Sequence, residues 1–493
     1  MKDLNRLAGQ TLIYGLGTML PRFLNYALLT PFYANIFEPA EYGVVTELYA
    51  YIAFLLVLLT YGMETAFFRF AQKSDKPEQV YSTSIISLIF TTAIFLVAFN
   101  VFIEPVSVLM KYEDSKTFLI IFSFIVALDA LTAIPFAQLR RENRPLRFSL
   151  LKLINVLVII SLALFFYLPD AAPALYQKGN RLVTAIYNPD FGVGYVFVAN
   201  LAGSLVVFLI LLPRTLNIKS HFSFKVWKSM LIYALPLLIS GMAGIINDAV
   251  DKVLLRRLIQ SDNPFYEVGV YGAGYKIAVL MALFIQMYRF AMEPFFFEKL
   301  SGKDAKETYS TAMKYFIIYA LILFLGLNLY ISVIQLILPG DYRESMFVVP
   351  VISLGFLLYG IFVNLSIWYK ANDITKYGAY LTFIGAAITI LINVLFIPKF
   401  GYRASAWAHV ACYGVMVIVS YLLSKRHYPI SYETGKLLSY IGLAVIIVIL
   451  VNRINYGSIA SEIAFNTLFI LSFIAYAEIR DKSITQFIKP GKA

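Results

Sequence analysis

GMAGIINDAVDKVLLRRLIQ (Gly241–Gln260) and EVGVYGAGYKIAVLMALFIQMYRFAMEPFFFEK (Glu267–Lys299) decide the fold of this chain. Each is a long apolar run, and a short polar link, Ser261–Tyr266, joins them. Both carry charges far from their ends: Asp248, Asp251 and Lys252 in the first, Lys276, Arg289 and Glu293 in the second. Charged side chains are expensive in hydrocarbon, so within a spanning helix they face a bundle interior or a wet cavity. The stretch also has a copy. Arg22–Lys73 aligns without a gap onto Asp248–Lys299, with Leu28/Leu254, Leu29/Leu255, Glu41/Glu267, Gly43/Gly269, Val44/Val270, Tyr49/Tyr275, Phe70/Phe296 and Lys73/Lys299 identical. An internal repeat of this length implies two similar lobes.

Composition agrees. Of 493 residues 60% are hydrophobic and 14% charged, against about 25% charged in a soluble domain, and the mean hydropathy is +0.74. The apolar runs reach the ~20 residues a spanning helix needs, whereas outer-membrane strands alternate in segments of about ten. The net charge of +12 would suggest nucleic acid in a soluble protein. Here it fits loops that face anionic lipid and set orientation, so no nucleic-acid partner is expected. The single cysteine, Cys412, excludes an intramolecular disulfide. His221, His409 and His427 lie far apart and show no metal-ligand spacing, and no metal or cofactor is expected.

The expected fold is an all-α polytopic membrane protein with about fourteen transmembrane helices. They fall near 10–36, 43–70, 81–103, 117–139, 148–168, 191–213, 231–259, 268–294, 315–338, 346–369, 377–398, 403–424, 434–452 and 458–477. An even count puts both termini on one side. Lys and Arg are concentrated there, most clearly in QLRRENRPLR with Arg140, Arg141, Arg144 and Arg147, which assigns that side to the cytoplasm. The repeat continues to span six, where Phe191-Gly192 and Ala199 match Phe400-Gly401 and Ala408 of span twelve. Two six-helix lobes in parallel pseudo-repeat follow, 1–220 and 221–426. Residues 427–493 hold two additional helices, apolar apart from Glu462, and a cytoplasmic tail.

The candidate site residues lie on the repeat-related spans. In span one Thr11, Thr18, Arg22 and Asn25 share a narrow stripe, and Pro21 and Pro31 loosen the helix around them. Span two carries Glu47 near its outer end and Glu64 near its inner end, and span four carries Asp129 near mid-depth. Arg22, Asn25, Lys276 and Arg289 are candidates for substrate binding. Glu64, Asp129, Asp248, Asp251 and Glu293 are candidates for ion coupling or a charge switch. The structural alternative is that these charges pair with one another: Arg22 with Asp248 or Asp251, and Arg289 with Glu293 one turn away. Lys152, near the inner end of span five, is expected to snorkel to the interface. Most of the 35 Tyr and 41 Phe suit interface belts and lipid-facing packing, with Tyr14, Tyr26 and Tyr275 as candidate stacking faces for sugars. No P-loop, Gly-rich nucleotide loop or HExxH is present, which argues against a self-powered ATPase and leaves secondary transport.

The motifs Ala234-Leu235-Pro236, Asn247–Leu255, Val268-Gly269-Val270-Tyr271 and Tyr275-Lys276 resemble the polysaccharide-transporter family of the multidrug/oligosaccharidyl-lipid/polysaccharide exporter superfamily, the O-antigen and capsule oligosaccharide flippases. The Glu41-Tyr42-Gly43 turn and the Phe400-Gly401 start of span twelve are similar to that family too, and the resemblance covers about residues 1–425. It implies a non-enzymatic flippase in the bacterial inner membrane, moving undecaprenyl-pyrophosphate-linked oligosaccharide for surface polysaccharide synthesis by alternating access. It further implies a proton or sodium as coupling ion, and a polysaccharide polymerase and chain-length protein as partners. What carries over is Asp251 and a cationic cavity, for which Arg22, Lys276 and Arg289 are the candidates. A multidrug exporter of the same fold is the main alternative, and its cavity for cations should be acidic. A glycan polymerase or acyltransferase would be expected to show a large outside loop or an intramembrane histidine. The 169–190 loop is short, and His409 stands alone near the outer end of its span.

Overall fold

The structure is a computed structural model and describes residues 15, 17–171, 188–299, 305–372 and 374–481, for 168–171, 189, 291 and 293–299 the backbone alone. Among these residues the regular elements are all helical. Helix α1 runs from Gly17, turns π-helical over Asn25–Leu29 and regains α geometry over Thr30–Ala34. There follow α2 (Pro39–Thr60), α3 (Met63–Lys73), α4 (Pro77–Val101), α5 (Lys116–Arg141), α6 (Pro145–Ala171), α7 (Gly194–Thr215), α8 (Phe224–Leu258) and α9 (Pro264–Lys299). The chain continues with α10 (Ala305–Leu329), α11 (Val348–Leu365), α12 (Lys376–Phe400), α13 (Tyr402–His427), α14 (Thr434–Val451) and α15 (Ile459–Asp481). Among the described residues thirteen stretches are long and apolar enough to cross a membrane, α2 and α3 counting as one. With α1 they match the expected spans.

Helix boundaries follow local chemistry. Proline opens α2 and α4, where its missing N–H is no loss. Glu38 and Glu41 form a reciprocal capping box at the start of α2, the Glu41 carboxylate accepting the Glu38 N–H at 3.1 Å. Gly192 and Gly401, equivalent in the repeat, both adopt positive φ (46° and 55°) just before α7 and α13. The π turn lies between Pro21 and Pro31, where the sequence expects a loosened helix.

Span two departs from the expected single helix. It breaks at Tyr61 and Gly62, both left-handed (φ 34° and 72°). The break is held from outside. Tyr61 Oη and Ser87 Oγ on α4 lie 2.5 Å apart, and Trp227 Nε1 of α8 donates to the same Ser87 oxygen at 2.8 Å. Its repeat counterpart, α9, runs unbroken, so the two halves differ here.

By backbone contacts the chain divides into two units, Met1–Arg257 with Asp262–Gly269, and Leu258–Ser261 with Val270–Ala493. The repeat places a lobe boundary at 220, yet α8 packs within the first unit. Its start sends Met230 and Ala234 into a core with Phe67, Ile85 and Ile134. In the first unit α7 lies along α5 and α6, and α4 along α5; in the second, α13 lies along α11 and α12, and α10 along α11. The same order of pairings in each unit is what the repeat predicts. Small residues permit these approaches: a Cβ on Gly203 of α7 would stand 3.1 Å from the Asn155 carbonyl oxygen of α6, and one on Gly355 of α11 would stand 3.1 Å from His409 Cβ of α13.

The last two helices have polar attachments that their apolar sequences do not announce. Lys314 of α10 pairs with Glu433 at 3.1 Å and with Asp481 of α15 at 3.0 Å. Lys436 of α14 pairs with Glu433 at 3.2 Å and also with Asp481, closing a ring of alternating charge. Further along, Ser332 meets Glu462, and Tyr330 Oη and Thr467 Oγ1 lie 2.7 Å apart.

Candidate substrate-translocation site

The first unit gathers charges inside its helix bundle. Helix α1 meets α6 where Gly17 sits on Ser149, so closely that a Cβ on Gly17 would fall 2.8 Å from the Ser149 Cα. This crossing brings Arg22 and Lys152, a turn further along each helix, into one neighbourhood. Helix α6 turns Lys152 against α5 and sets its Nζ 4.2 Å from the Phe136 ring centroid. The charges acting on that ammonium are those of Asp129, Glu64, Arg22 and Arg140. The two carboxylates are engaged elsewhere: Asp129 Oδ1 accepts from Ser204 Oγ at 2.7 Å, and Glu64 pairs with Arg140. Among the described residues Lys152 has no hydrogen-bond or ion-pair partner, and its direct polar contact is the face of Phe136. The snorkelling expected for Lys152 is therefore corrected: packing on α5 turns it inward, where Phe136 offers a cation–π surface.

Of the residues expected from the sequence, Arg22, Glu64 and Asp129 thus share a region with Lys152. Arg22 is exposed on α1, and Asn25, half-buried, opens the π turn. On α8, Asp248 is exposed and Asp251 buried. Asp251 Oδ1 accepts from its neighbour Lys252 at 2.9 Å, and Lys252 Nζ also donates to the Asp248 carbonyl at 2.9 Å. Lys276 and Arg289, both half-buried, lie in the second unit. The side chain of Glu293, and all of Thr11 and Tyr14, lie outside the described residues. Tyr275 is buried beside Phe356 and His409, with ring centroids 5.9 and 5.7 Å away, so it packs the second unit's core instead of offering a stacking face.

One constellation was not singled out from the sequence. Glu47 on α2 is wholly buried and accepts from Arg256 Nη1 of α8 at 2.7 Å and from Tyr112 Oη at 2.8 Å. The partners are separated by 209 residues, and only the position of Glu47 inside an apolar span hinted at it.

This arrangement can hold an anion against fixed cations. Among the described residues no group of His, Cys, Asp and Glu could hold a metal ion.

Residues 7–300 match the family described as "Polysaccharide biosynthesis protein", and the chain belongs to that family. A capsular polysaccharide biosynthesis protein, CapF of Staphylococcus aureus, is 23% identical over 307 residues, which is 56% of this chain and 75% of that protein. Among solved structures, a lipid II flippase, MurJ, in an inward closed conformation superposes with a TM-score of 0.69 at 16% identity, covering 95% of this chain and 99% of that one. An inward-facing multidrug-resistance transporter of the MATE family and MOP superfamily gives 0.61 at 17% identity, covering 86% and 94%. The chain is a multi-pass membrane protein of the polysaccharide biosynthesis family, and it shares its all-α fold with those solved transporters.

Proposed function

We propose that the protein is a flippase that carries lipid-linked oligosaccharide across the bacterial inner membrane, on an undecaprenyl pyrophosphate anchor, by alternating access. The observation that carries this reading is the Lys152 ammonium. It sits inside the bundle with Arg22 nearby, and the neighbouring carboxylates are bound to Ser204 and Arg140. A cation without its own counter-ion in a low-dielectric site favours an anionic ligand. A pyrophosphate supplies two charges and several acceptors, while a polyprenyl tail stays in lipid. Arg22, Arg140 and Lys152 outnumber Glu64 and Asp129, the opposite of what a cavity for cationic drugs requires.

Family membership supports the pathway, and the fold shared with a lipid II flippase supports the type of cargo. Arg22 opposite the Asp248/Asp251 pair would provide the switch: pyrophosphate competes for the arginine and frees a carboxylate for a proton or sodium. No chemical step on the cargo is required, so the protein acts as a transporter and not as an enzyme.

The test is complementation of a strain lacking the gene, scored by surface polysaccharide and by lipid-linked oligosaccharide accumulating at the inner leaflet. The intact protein restores the first and clears the second. Restored polysaccharide with a Lys152→Ala, Arg22→Ala double variant would overturn the anionic-cargo reading.

A further inference from the structure

Spans two and eight meet at a contact that obeys the repeat. Gly43 of α2 and Gly269 of α9 are equivalent positions, and so are Pro39 and Phe265. A Cβ on Gly43 would fall 2.0 Å from the Phe265 carbonyl oxygen, and one on Gly269 would fall 1.7 Å from the Pro39 carbonyl oxygen. Each glycine therefore presses on the partner of the other, as in a two-fold contact. Nothing larger than hydrogen fits at either position.

One turn along α2 stands Glu47. Its Oε2 accepts from Arg256 and from Tyr112, and both charged side chains are almost wholly buried, at 0% and 6% exposure. Arg256 is satisfied on every side. Nη1 also donates to the Met110 carbonyl at 2.9 Å, Nη2 donates to the Lys111 carbonyl at 2.7 Å, and its guanidinium lies against the rings of Phe265 and Tyr112, at 3.9 and 4.5 Å from their centroids. Glu47 is not: its Oε1 is buried with no hydrogen-bond partner among the described residues. The tie thus joins α2, the connection between α4 and α5, the end of α8 and the start of α9.

We infer that Glu47, Arg256 and Tyr112 form the latch of a gate that closes the outer ends of spans two and eight over the Gly43–Gly269 crossing. A permanent strut between helices is better made of apolar side chains, because two buried charges lose their hydration and recover it only through each other. A latch has the opposite need. Once parted, a carboxylate and a guanidinium are both stable in water, whereas parted apolar surfaces are not. The unpartnered Oε1 keeps the closed form from being over-stabilised. The inference rests on alternating access in the proposed function but not on the identity of the cargo.

The experiment uses the full chain in intact cells, with Cys412→Ser and a single reporter, Val268→Cys. Val268 is fully buried beside Gly269, so a membrane-impermeant maleimide outside should label the reporter slowly. Glu47→Gln or Arg256→Gln should speed labelling by about tenfold or more, because each leaves a buried group without its charged partner. Tyr112→Phe, which keeps the ring and removes one hydrogen bond, should give a smaller rise, and it serves if the charge variants fail to insert. Labelling unchanged in the inserted Glu47→Gln and Tyr112→Phe proteins would overturn the latch. Faster labelling together with failed complementation by the intact protein would leave the latch standing and remove the cargo assignment.

Discussion

The Lys152 ammonium rests 4.2 Å from the centre of the Phe136 ring, one helix facing the next. An aromatic face attracts a cation without neutralising it, so Phe136 holds the side chain without supplying a counter-ion. Lys152→Ala should lower flipping in reconstituted vesicles by about tenfold or more, the loss expected for one hydrogen bond to a charged group. Lys152→Arg should retain most of it. Equal rates for Lys152→Ala and the intact protein would remove Lys152 from the site.

The break in span two depends on one hydroxyl. Ser87 serves both Tyr61 and Trp227, so Ser87→Ala should cost about 1–3 kcal/mol by taking a shared partner from the buried Tyr61 hydroxyl and the half-buried Trp227 N–H. Gly62→Ala should cost a similar ~1–3 kcal/mol through its left-handed backbone, since φ is 72° and a Cβ would stand 2.8 Å from the Ala234 carbonyl oxygen. Thermal unfolding in detergent reads both, and an unchanged midpoint in either variant argues against a fixed break.

Acid should loosen the attachment of α14. Hydrogen bonds from Lys314, and then from Lys436, outweigh partial burial and hold the Glu433 carboxyl below its ordinary 4.5. A depressed folded-state value means that the stabilisation is complete above the unfolded value and lost as pH falls through the folded one. Exchange protection of α14 should therefore fall below about pH 4.5, and Glu433→Gln should flatten that dependence. Persistence of the same acid transition in the variant would assign it to another carboxylate.

Orientation is checked by reporter fusions. Fusions after Asn143 and His221 should report cytoplasm, and fusions within 339–344 should report the outside, following the concentration of Arg and Lys. An outside signal at Asn143 would reverse the assignment of inner and outer ends, and the latch would then close the cytoplasmic side.

The spans were readable because each is a run of apolar residues of sufficient length, and the repeat because Gly43/Gly269 and Gly192/Gly401 survive in both copies. Those glycines are fixed by backbone geometry, which a sequence records directly. Side-chain destinations are different. Lys152 lies near a helix end, so its position suggested the interface, and only the packing of α6 on α5 turns it inward. Glu47 and Arg256 are both visible as charges, but no spacing rule connects residues on helices so far apart in the chain. The break at Tyr61 was hidden for another reason. A lone glycine in an apolar helix usually continues it, and the hydroxyl that holds the break comes from α4.

The two-fold contact makes a prediction about symmetry. If Gly43 and Gly269 occupy equivalent places, Gly43→Ala and Gly269→Ala should act alike. Each new methyl meets a main-chain carbonyl, which cannot rotate aside as a side chain can, so the helices must separate. Each substitution should therefore lower the thermal midpoint and raise labelling of a cysteine at Val268 from outside. The double variant should fall well short of the sum, because helices parted by the first methyl already have room for the second, and neighbouring sites that share one contact are not additive. Gly244 on α8 provides the control: nothing lies within 4 Å of its Cβ position, so Gly244→Ala should be neutral or stabilise by up to about 1 kcal/mol through helix propensity. Additive effects of the two alanines would mean that the glycines act independently, and the crossing would lose its role as the seat of the gate.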